Sequence, residues 1–263
     1  MKFRTRVVLL VAVVVGLTIA TALVARIPQD PAYHRFADQR TIFGIPHFFD
    51  VISNLPFLFI GAWGLFVALQ SSRNMFAVSS ERWPYVVLFV GVLLTAFGSS
   101  YYHWNPNNHT LVWDRLPMTV GFMGLLSAAI VERIHHRTGM RLLSTLVLLG
   151  IASVVYWYRT ELAGSGDLRP YVLAQFGSLL LLILTLILFA PKYTGGKYIG
   201  YAIGFYALAK VLELLDAPIY HVLRVVSGHT LKHLAAAAAV FWIVWMLKTR
   251  TLAGTLSLRR PTP

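Results

Sequence analysis

Eight long apolar runs constrain this chain more than any other feature. A helix needs about 20 apolar residues to cross a bilayer, and each run is close to that length. The runs are continuous rather than alternating, so they predict membrane helices and not β-barrel strands. They are Val7–Val24, Phe48–Leu69, Trp83–Tyr102, Asp114–Val131, Arg141–Tyr158, Tyr171–Phe189, Tyr198–Leu215 and Thr230–Leu247.

Composition points to the same fold class. Of the 263 residues, 57% are hydrophobic and only 13% are charged, roughly half the charged share of a soluble domain. A soluble core of this size could not bury so much apolar surface. The sequence therefore predicts an all-α, polytopic membrane helix bundle with eight helices. Because there is no cysteine, a metal site would have to use His, Asp or Glu.

The first apolar run differs from the others in its position and flanks. It follows three basic residues and is long for the apolar part of a signal peptide. We interpret residues 1–25 as an anchor helix, with a signal peptide as the alternative. The rest divides into an outer loop at 26–47, a seven-helix core at 48–248 and a basic cytoplasmic tail at 249–263, of which Leu252–Pro263 is expected to be disordered.

The formal net charge is +13, but its distribution does not favour nucleic acid. The basic residues lie in short loops between apolar runs, as is typical of membrane orientation. With the N-terminus in the cytoplasm, 14 Lys and Arg residues fall on the cytoplasmic side and 7 on the other, and Lys210 and Lys232 inside helices complete the 23. This bias predicts that both termini are cytoplasmic, and no nucleic-acid partner is expected.

Five polar residues then fall at the outer ends of apolar runs. Ser99 and His103 are four apart and share a helical face, and Asp114 begins the next run. His229 and His233 have the same four-residue spacing, and the topology places them at the same membrane face. Taken alone, that pair also fits a helix start or isolated interfacial histidines. Three converging imidazoles without a fourth protein ligand are typical of a catalytic zinc site, so we predict zinc on His103, His229 and His233.

The two remaining polar residues have structural alternatives. Asp114 fits the N-cap of its helix, with Pro117 in the first turn, or a group that accepts a proton or orients a histidine. Ser99 fits a hydrogen bond to the carbonyl one turn back, or a donor to an oxyanion.

Other polar groups receive structural interpretations. We expect an internal Lys210–Glu213 ion pair, with a proton path that continues to Asp216 as the alternative. Lys232 is expected to extend to the outer head groups. Three acids, Asp30, Asp38 and Asp50, are interpreted as solvated loop residues. Four histidines have no partner spacing: His34, His47, His109 and His221.

Three motifs carry a resemblance to a known family. The stretch GSSYYHWNPNNHTLVWDRLPM, which ends at Met118, the closing SGHTLKH that ends at His233, and the pair Ser53-Asn54 resemble, in the same order, the motifs of the alkaline ceramidases. These belong to the CREST group of seven-helix membrane hydrolases. The likeness covers Phe48–Leu247, so the first helix is an addition to a seven-helix CREST-type core.

The resemblance implies a function and a division of roles. It implies zinc on His103, His229 and His233, with Ser99 and Asp114 beside the reacting water. The implied reaction is hydrolysis of the amide bond of ceramide-like lipids to a fatty acid and a sphingoid base. Within the same fold, a zinc-dependent lipid ester hydrolase or lipid-remodelling enzyme is the alternative. A seven-helix receptor or transporter with structural zinc is an alternative from another class.

The chain also departs from the family pattern. The animal and fungal enzymes carry an acidic, Trp-containing calcium-binding segment before the first core helix. Here His47 stands where a carboxylate would be expected, which argues against calcium. The compact loops are closer to bacterial relatives, so we expect a bacterial inner membrane and a site near its outer, periplasmic face.

Overall fold

The computed structural model describes residues 1–70 and 75–253, and within these ranges the regular structure is helical and contains no strand. Its helices are α1 (Phe3–Leu23), α2 (Phe48–Ile52), α3 (Leu55–Gln70), α4 (Arg82–Trp104), α5 (Asn108–Arg133), α6 (His136–Leu162), α7 (Arg169–Val172), α8 (Ser178–Leu188), α9 (Gly196–Leu214), α10 (Asp216–Leu223) and α11 (Gly228–Thr249). A π-helical turn at Leu173–Gly177 joins α7 to α8, and short 3₁₀ turns lie at Pro31–His34 and Ser79–Glu81.

The predicted membrane bundle is confirmed. Within the described ranges, seven helical stretches are long and apolar enough to cross a membrane. The pair α9 and α10, bent by 75°, counts as an eighth if it forms one span. The prediction had ended this run at Leu215 and did not anticipate α10.

The helices form an open ring. Helix α9 packs against α11, α11 against α3, α3 against α4, and α4 against α5, which then contacts both α6 and α8. Helices α8 and α9 barely touch each other. The ring therefore has a seam between α8 and α9, and α1 packs on the outside of α8.

A proline and a glycine bring α4 and α5 unusually close together. Pro117 lies inside α5 and has no N–H to donate to the carbonyl of Trp113. A Cβ atom at Gly98 in α4 would collide with that same carbonyl group. Only glycine therefore permits this approach, which brings Ser99, the next residue of α4, opposite Asp114, the next residue of α5.

The predicted outer loop covers one end of the ring. Phe36 is buried in it, and Asp38 is buried in an ion pair with Arg40 at 2.6 Å. Burial by itself would raise the pKa of Asp38, but hydrogen bonds from Arg40 outweigh that effect and lower it. Asp38 is therefore not the solvated acid that we expected, whereas Asp30 is exposed as predicted.

At the opposite end of the bundle, the described part of the C-terminal tail is ordered, including Leu252 and Ala253, which we expected to be disordered. Arg250 is buried and forms an ion pair with Glu132 at 2.6 Å. Leu252 pairs with Tyr193, and the Ala253 N–H donates to the carbonyl of Lys192 at 3.0 Å. The chain is thus held in place through Ala253, because these contacts attach it to the α8–α9 connection. The remainder of the predicted tail, 254–263, lies outside the described residues.

Candidate metal centre and its cavity

Three buried histidines meet at one end of the bundle. His103 lies in the last turn of α4, and His229 and His233 lie in the first two turns of α11. One nitrogen from each imidazole lies within 4.8 Å of the other two, so the group could hold a metal ion. The sequence prediction that these three residues converge is confirmed.

The spacing within the cluster fits ligands better than it fits a hydrogen bond. The Nε2 atoms of His103 and His229 are 3.4 Å apart, whereas an ordinary hydrogen bond to nitrogen spans about 2.7–3.2 Å. Two nitrogens bound at about 2.0–2.1 Å to one tetrahedral ion are about 3.3–3.4 Å apart. The arrangement therefore suits two ligands of a single small ion.

Ser53 orients one of the three imidazoles. Its hydroxyl donates to the carbonyl of Asp50 at 3.1 Å and lies 2.7 Å from Nδ1 of His233. When the one hydrogen of the hydroxyl goes to the Asp50 carbonyl, Ser53 accepts from a protonated Nδ1 of His233. That tautomer leaves the lone pair of Nε2 free for a metal ion.

The outer loop closes over the same cluster. The ring of Phe36 lies 4.7 Å from the ring of His103 and 4.5 Å from that of His229. Nδ1 of His47 donates to the carbonyl of His103 at 3.0 Å. Sequence reasoning found no role for Phe36 or His47, because neither has a helical spacing to the three histidines.

Two carboxylates hold the start of α11. Asp50 accepts hydrogen bonds from Thr230 at 2.7 Å and from Ser227 at 3.3 Å. Asp216 accepts from the backbone N–H of His229 at 2.8 Å and from that of Ala37 at 2.9 Å. Carboxylates are favourable beside a helix N-terminus. The expectation that Asp50 is a solvated loop residue is wrong, because its side chain is fully buried.

Ser99 and Asp114 face each other beside this cluster. The Ser99 hydroxyl lies near the Asp114 carboxylate, and both side chains are buried and line the cavity. The N-cap of α5 is Asn107, whose side chain accepts from the backbone of Thr110 at 3.0 Å. The N-cap alternative for Asp114 is therefore wrong, because Asp114 lies in the second turn with its carboxylate turned inward.

A cavity of about 330 Å³ lies inside the ring of helices. Its walls are largely apolar and come from α4, α5, α8, α9 and α11, while Ser99, Asp114 and His233 line its polar part. Where it meets the seam, Nε2 of Gln175 in the π-helical turn donates to the hydroxyl of Tyr206 in α9 at 2.8 Å. This bond bridges the two sides of the seam, which are otherwise barely in contact.

The charged residues around Glu213 of α9 agree with the prediction in part. The Lys210–Glu213 ion pair is confirmed. Lys232 does not extend to head groups, because its ammonium group pairs with Glu213 at 2.8 Å and the residue lines the cavity. Asp216 accepts from the backbone N–H of His229 at the start of α11. It therefore does not continue the alternative proton path from Lys210 through Glu213.

Comparison with known proteins adds no assignment. No protein-family model matches the chain, and a search of curated proteins found no match. The resemblance to the alkaline ceramidases therefore stays a prediction, and function has to be argued from the site itself.

Proposed function

We propose that this protein is a zinc-dependent membrane hydrolase that cleaves the amide bond of ceramide-like lipids to a fatty acid and a sphingoid base. The observation that carries the proposal is a buried three-histidine cluster beside the polar part of an apolar cavity within a membrane bundle. An acid and a hydroxyl, Asp114 and Ser99, line the same cavity as His233.

The three histidines would hold the zinc ion. Zinc, when bound, would supply a Lewis acid that polarises the substrate carbonyl and lowers the pKa of a water molecule. Ser53, whose hydroxyl lies 2.7 Å from Nδ1 of His233, would favour the tautomer that such binding requires. The donor set of neutral imidazoles also suits zinc better than calcium, which prefers oxygen ligands. We therefore propose no calcium here.

The chain's own acid would move the proton. Asp114 accepts a proton from the attacking water and delivers it to the leaving nitrogen, so that amide and water become acid and amine. The Ser99 hydroxyl, which faces Asp114, can turn to donate to the oxyanion that develops on the carbonyl oxygen. Because both groups are buried, their hydrogen bonds act with little competition from water.

The seam gives a lipid substrate a route of entry. A cavity lined by apolar side chains would accept acyl chains from the bilayer, and the sparse packing between α8 and α9 would let a lipid enter between these two helices. The 14-to-7 distribution of Lys and Arg supports cytoplasmic termini and a site near the outer face. We propose a bacterial inner membrane as the location.

The experiment compares metal content and turnover of the purified protein. We expect wild-type protein to contain zinc and to release fatty acid from ceramide, with phosphatidylcholine as the matched ester substrate. His233→Ala should lose both zinc and turnover, while His109→Ala, an exposed histidine at the same end, should keep both. Asp114→Asn should keep zinc and lower kcat by about 10²–10⁴-fold.

Each contrary result points elsewhere. Full activity of Asp114→Asn would contradict its role in proton transfer. Cleavage of the ester and not the amide would favour the lipid ester hydrolase. If zinc is bound and neither lipid is cleaved, the receptor or transporter with structural zinc gains support.

A further inference from the structure

Arg115 is a buried cation in the cavity wall. It follows Asp114 in α5, and only 5% of its surface is exposed, although the orientation analysis had counted it among the outer loop charges. Its guanidinium carbon lies 4.2 Å from the ring centre of Trp157, 4.6 Å from that of Tyr171 and 5.6 Å from that of Tyr33. These three rings enclose the group and favour it through cation–π interactions.

The hydrogen bonds of Arg115 are incomplete. Nη2 donates to the side-chain oxygen of Gln29 at 2.8 Å, and Gln29 is itself held because its backbone N–H donates to Glu161 at 2.7 Å. Nη1 is buried and has no hydrogen-bond partner among the described residues. A buried guanidinium with an unused donor is costly unless an acceptor completes it.

No carboxylate in the described part of the chain forms an ion pair with Arg115. The other two cations that line the cavity, Lys210 and Lys232, both pair with Glu213. The lining therefore contains three cations and two carboxylates, with Asp114 as the second acid. The lining thus carries one more cation than carboxylates, and of its cations Arg115 is the one without an ion pair in the described part of the chain.

We propose that Arg115 binds an anionic group, a carboxylate or phosphate, carried by the lipid that occupies the cavity. A guanidinium offers parallel N–H donors that match two oxygens of such a group, and Gln29 fixes the plane of this guanidinium through Nη2. The inference rests on the proposed function for its substrate class: the preferred lipid amide carries an acidic head group close to the scissile bond. Arg115 is thus a specificity-determining residue that is separate from the groups that move protons.

Binding without turnover tests this inference. The full chain, stripped of metal with a chelator and held in neutral detergent, is titrated calorimetrically with hexadecyl phosphate, with hexadecanol and with inorganic phosphate. We expect hexadecyl phosphate to bind about 10- to 100-fold more tightly than hexadecanol, from one charge-assisted contact. Inorganic phosphate should bind more weakly than hexadecyl phosphate, because it lacks the apolar chain.

Two variants assign the preference to one side chain. Arg115→Met should bring the affinities for hexadecyl phosphate and hexadecanol to within about threefold, by loss of the charged contact. Arg159→Met removes the same charge from an exposed position at the same end and should leave the preference intact. Zinc stoichiometry after reloading checks that each variant is folded. If Arg115→Met fails that check, Arg115→Lys replaces it and should weaken hexadecyl phosphate binding, because lysine lacks the planar fork.

Three results would overturn the inference. They are equal binding of hexadecyl phosphate and hexadecanol by the wild-type protein, a preference that survives in folded Arg115→Met, and inorganic phosphate binding as tight as that of hexadecyl phosphate. Hydrolysis separates this inference from the proposed function. A protein that prefers hexadecyl phosphate but cleaves no lipid amide keeps the anion site and loses the amidase proposal. A protein that cleaves neutral and acidic N-acyl amides with equal KM, and shows no binding preference, keeps the amidase and loses the anion site.

Discussion

Ser53→Ala is the sharpest test of how the histidine cluster is organised. The Ser53 hydroxyl lies 2.7 Å from Nδ1 of His233 and donates to the carbonyl of Asp50 at 3.1 Å, which lets it accept from Nδ1. Alanine removes both contacts and leaves the three imidazoles in place. We therefore expect weaker metal binding with an unchanged number of metal ions per chain.

The expected loss of metal affinity in Ser53→Ala depends on which group replaces the Ser53 hydroxyl as the partner of His233. Loss of a group that orients a metal-binding histidine usually costs about 10- to 100-fold in metal affinity, or about 1.4–2.7 kcal/mol. The Asp50 carbonyl also faces the His233 imidazole. In Ser53→Ala it can accept a hydrogen bond from the Nδ1–H of His233 and so replace part of the lost contact. We accordingly expect the lower end, about a tenfold loss.

The measurement is zinc affinity by chelator competition at fixed pH. Ser100→Ala is the matched control, because the Ser100 hydroxyl donates to the carbonyl of Val51 at 3.2 Å in the same short helix but does not touch an imidazole. We expect its affinity to equal that of the wild type. Equal affinities of Ser53→Ala and the wild type would refute the argument that Ser53 sets the tautomer of His233.

Two further predictions concern the frame around the site. Gly98→Ala should lower the Tm of the purified protein and weaken zinc binding, because the added methyl group collides with the Trp113 carbonyl. The control is Gly200→Ala, which should do neither, because there is open space around Gly200. Equal Tm values for the two variants would contradict the close approach of α4 and α5. Hydrogen bonds from Arg169 lower the pKa of Asp167 to about 2, so stability should fall as the pH drops from about 4 towards 2, by at most about 2 kcal/mol. In Asp167→Asn the free energy of unfolding should change less between about pH 4 and about pH 2 than in the wild type. An unchanged pH dependence would show that Asp167 is not its source.

The fold could be predicted because membrane insertion depends on local hydrophobicity. Within lipid, the backbone N–H and C=O groups of each apolar run must form their hydrogen bonds inside the run itself, as a helix does. The hydropathy pattern of one sequence is therefore enough to find the helices. Helix α10 escaped prediction, because the apolar run ends at Leu215, where α9 ends, and the sequence that follows the 75° bend begins with the charged Asp216. The start of α5 also escaped, although Asn107 and Thr110 form a capping box, because the apolar run that set the boundary begins later.

The histidine cluster was predictable for a similar reason. His229 and His233 share a face by helical spacing alone, and the distribution of basic residues placed His103 at the same end. The partners of these histidines were not predictable in this way. Ser53 precedes His233 by 180 residues, and His47 reaches the backbone of His103 from an irregular loop. Such contacts depend on tertiary packing, which leaves no periodic trace in the sequence.

The wrong assignments of Arg115 and Lys232 share one cause. Arg115 and Lys232 were treated as groups that face water or head groups, because charged residues near the end of an apolar run usually do so. Inside the folded ring both face the cavity, where aromatic rings surround Arg115 and Glu213 pairs with Lys232. A hydropathy pattern gives the depth of a charged residue along a helix but not the direction in which its side chain points.

The site therefore exists only in the folded ring. Its ligands come from α4 and α11, its orienting hydroxyl from the end of α2, and its cover from the loop that carries Phe36. Asp216 joins that loop to the start of α11, because one carboxylate accepts from the backbone of both Ala37 and His229. An unfolded chain would bring none of these groups together, so a metal ion that binds the three histidines would stabilise the folded protein. The loop therefore covers the polar end of the site through the same contacts that hold the start of α11. Under the proposed function, the seam between α8 and α9 would be the way into the cavity for a lipid.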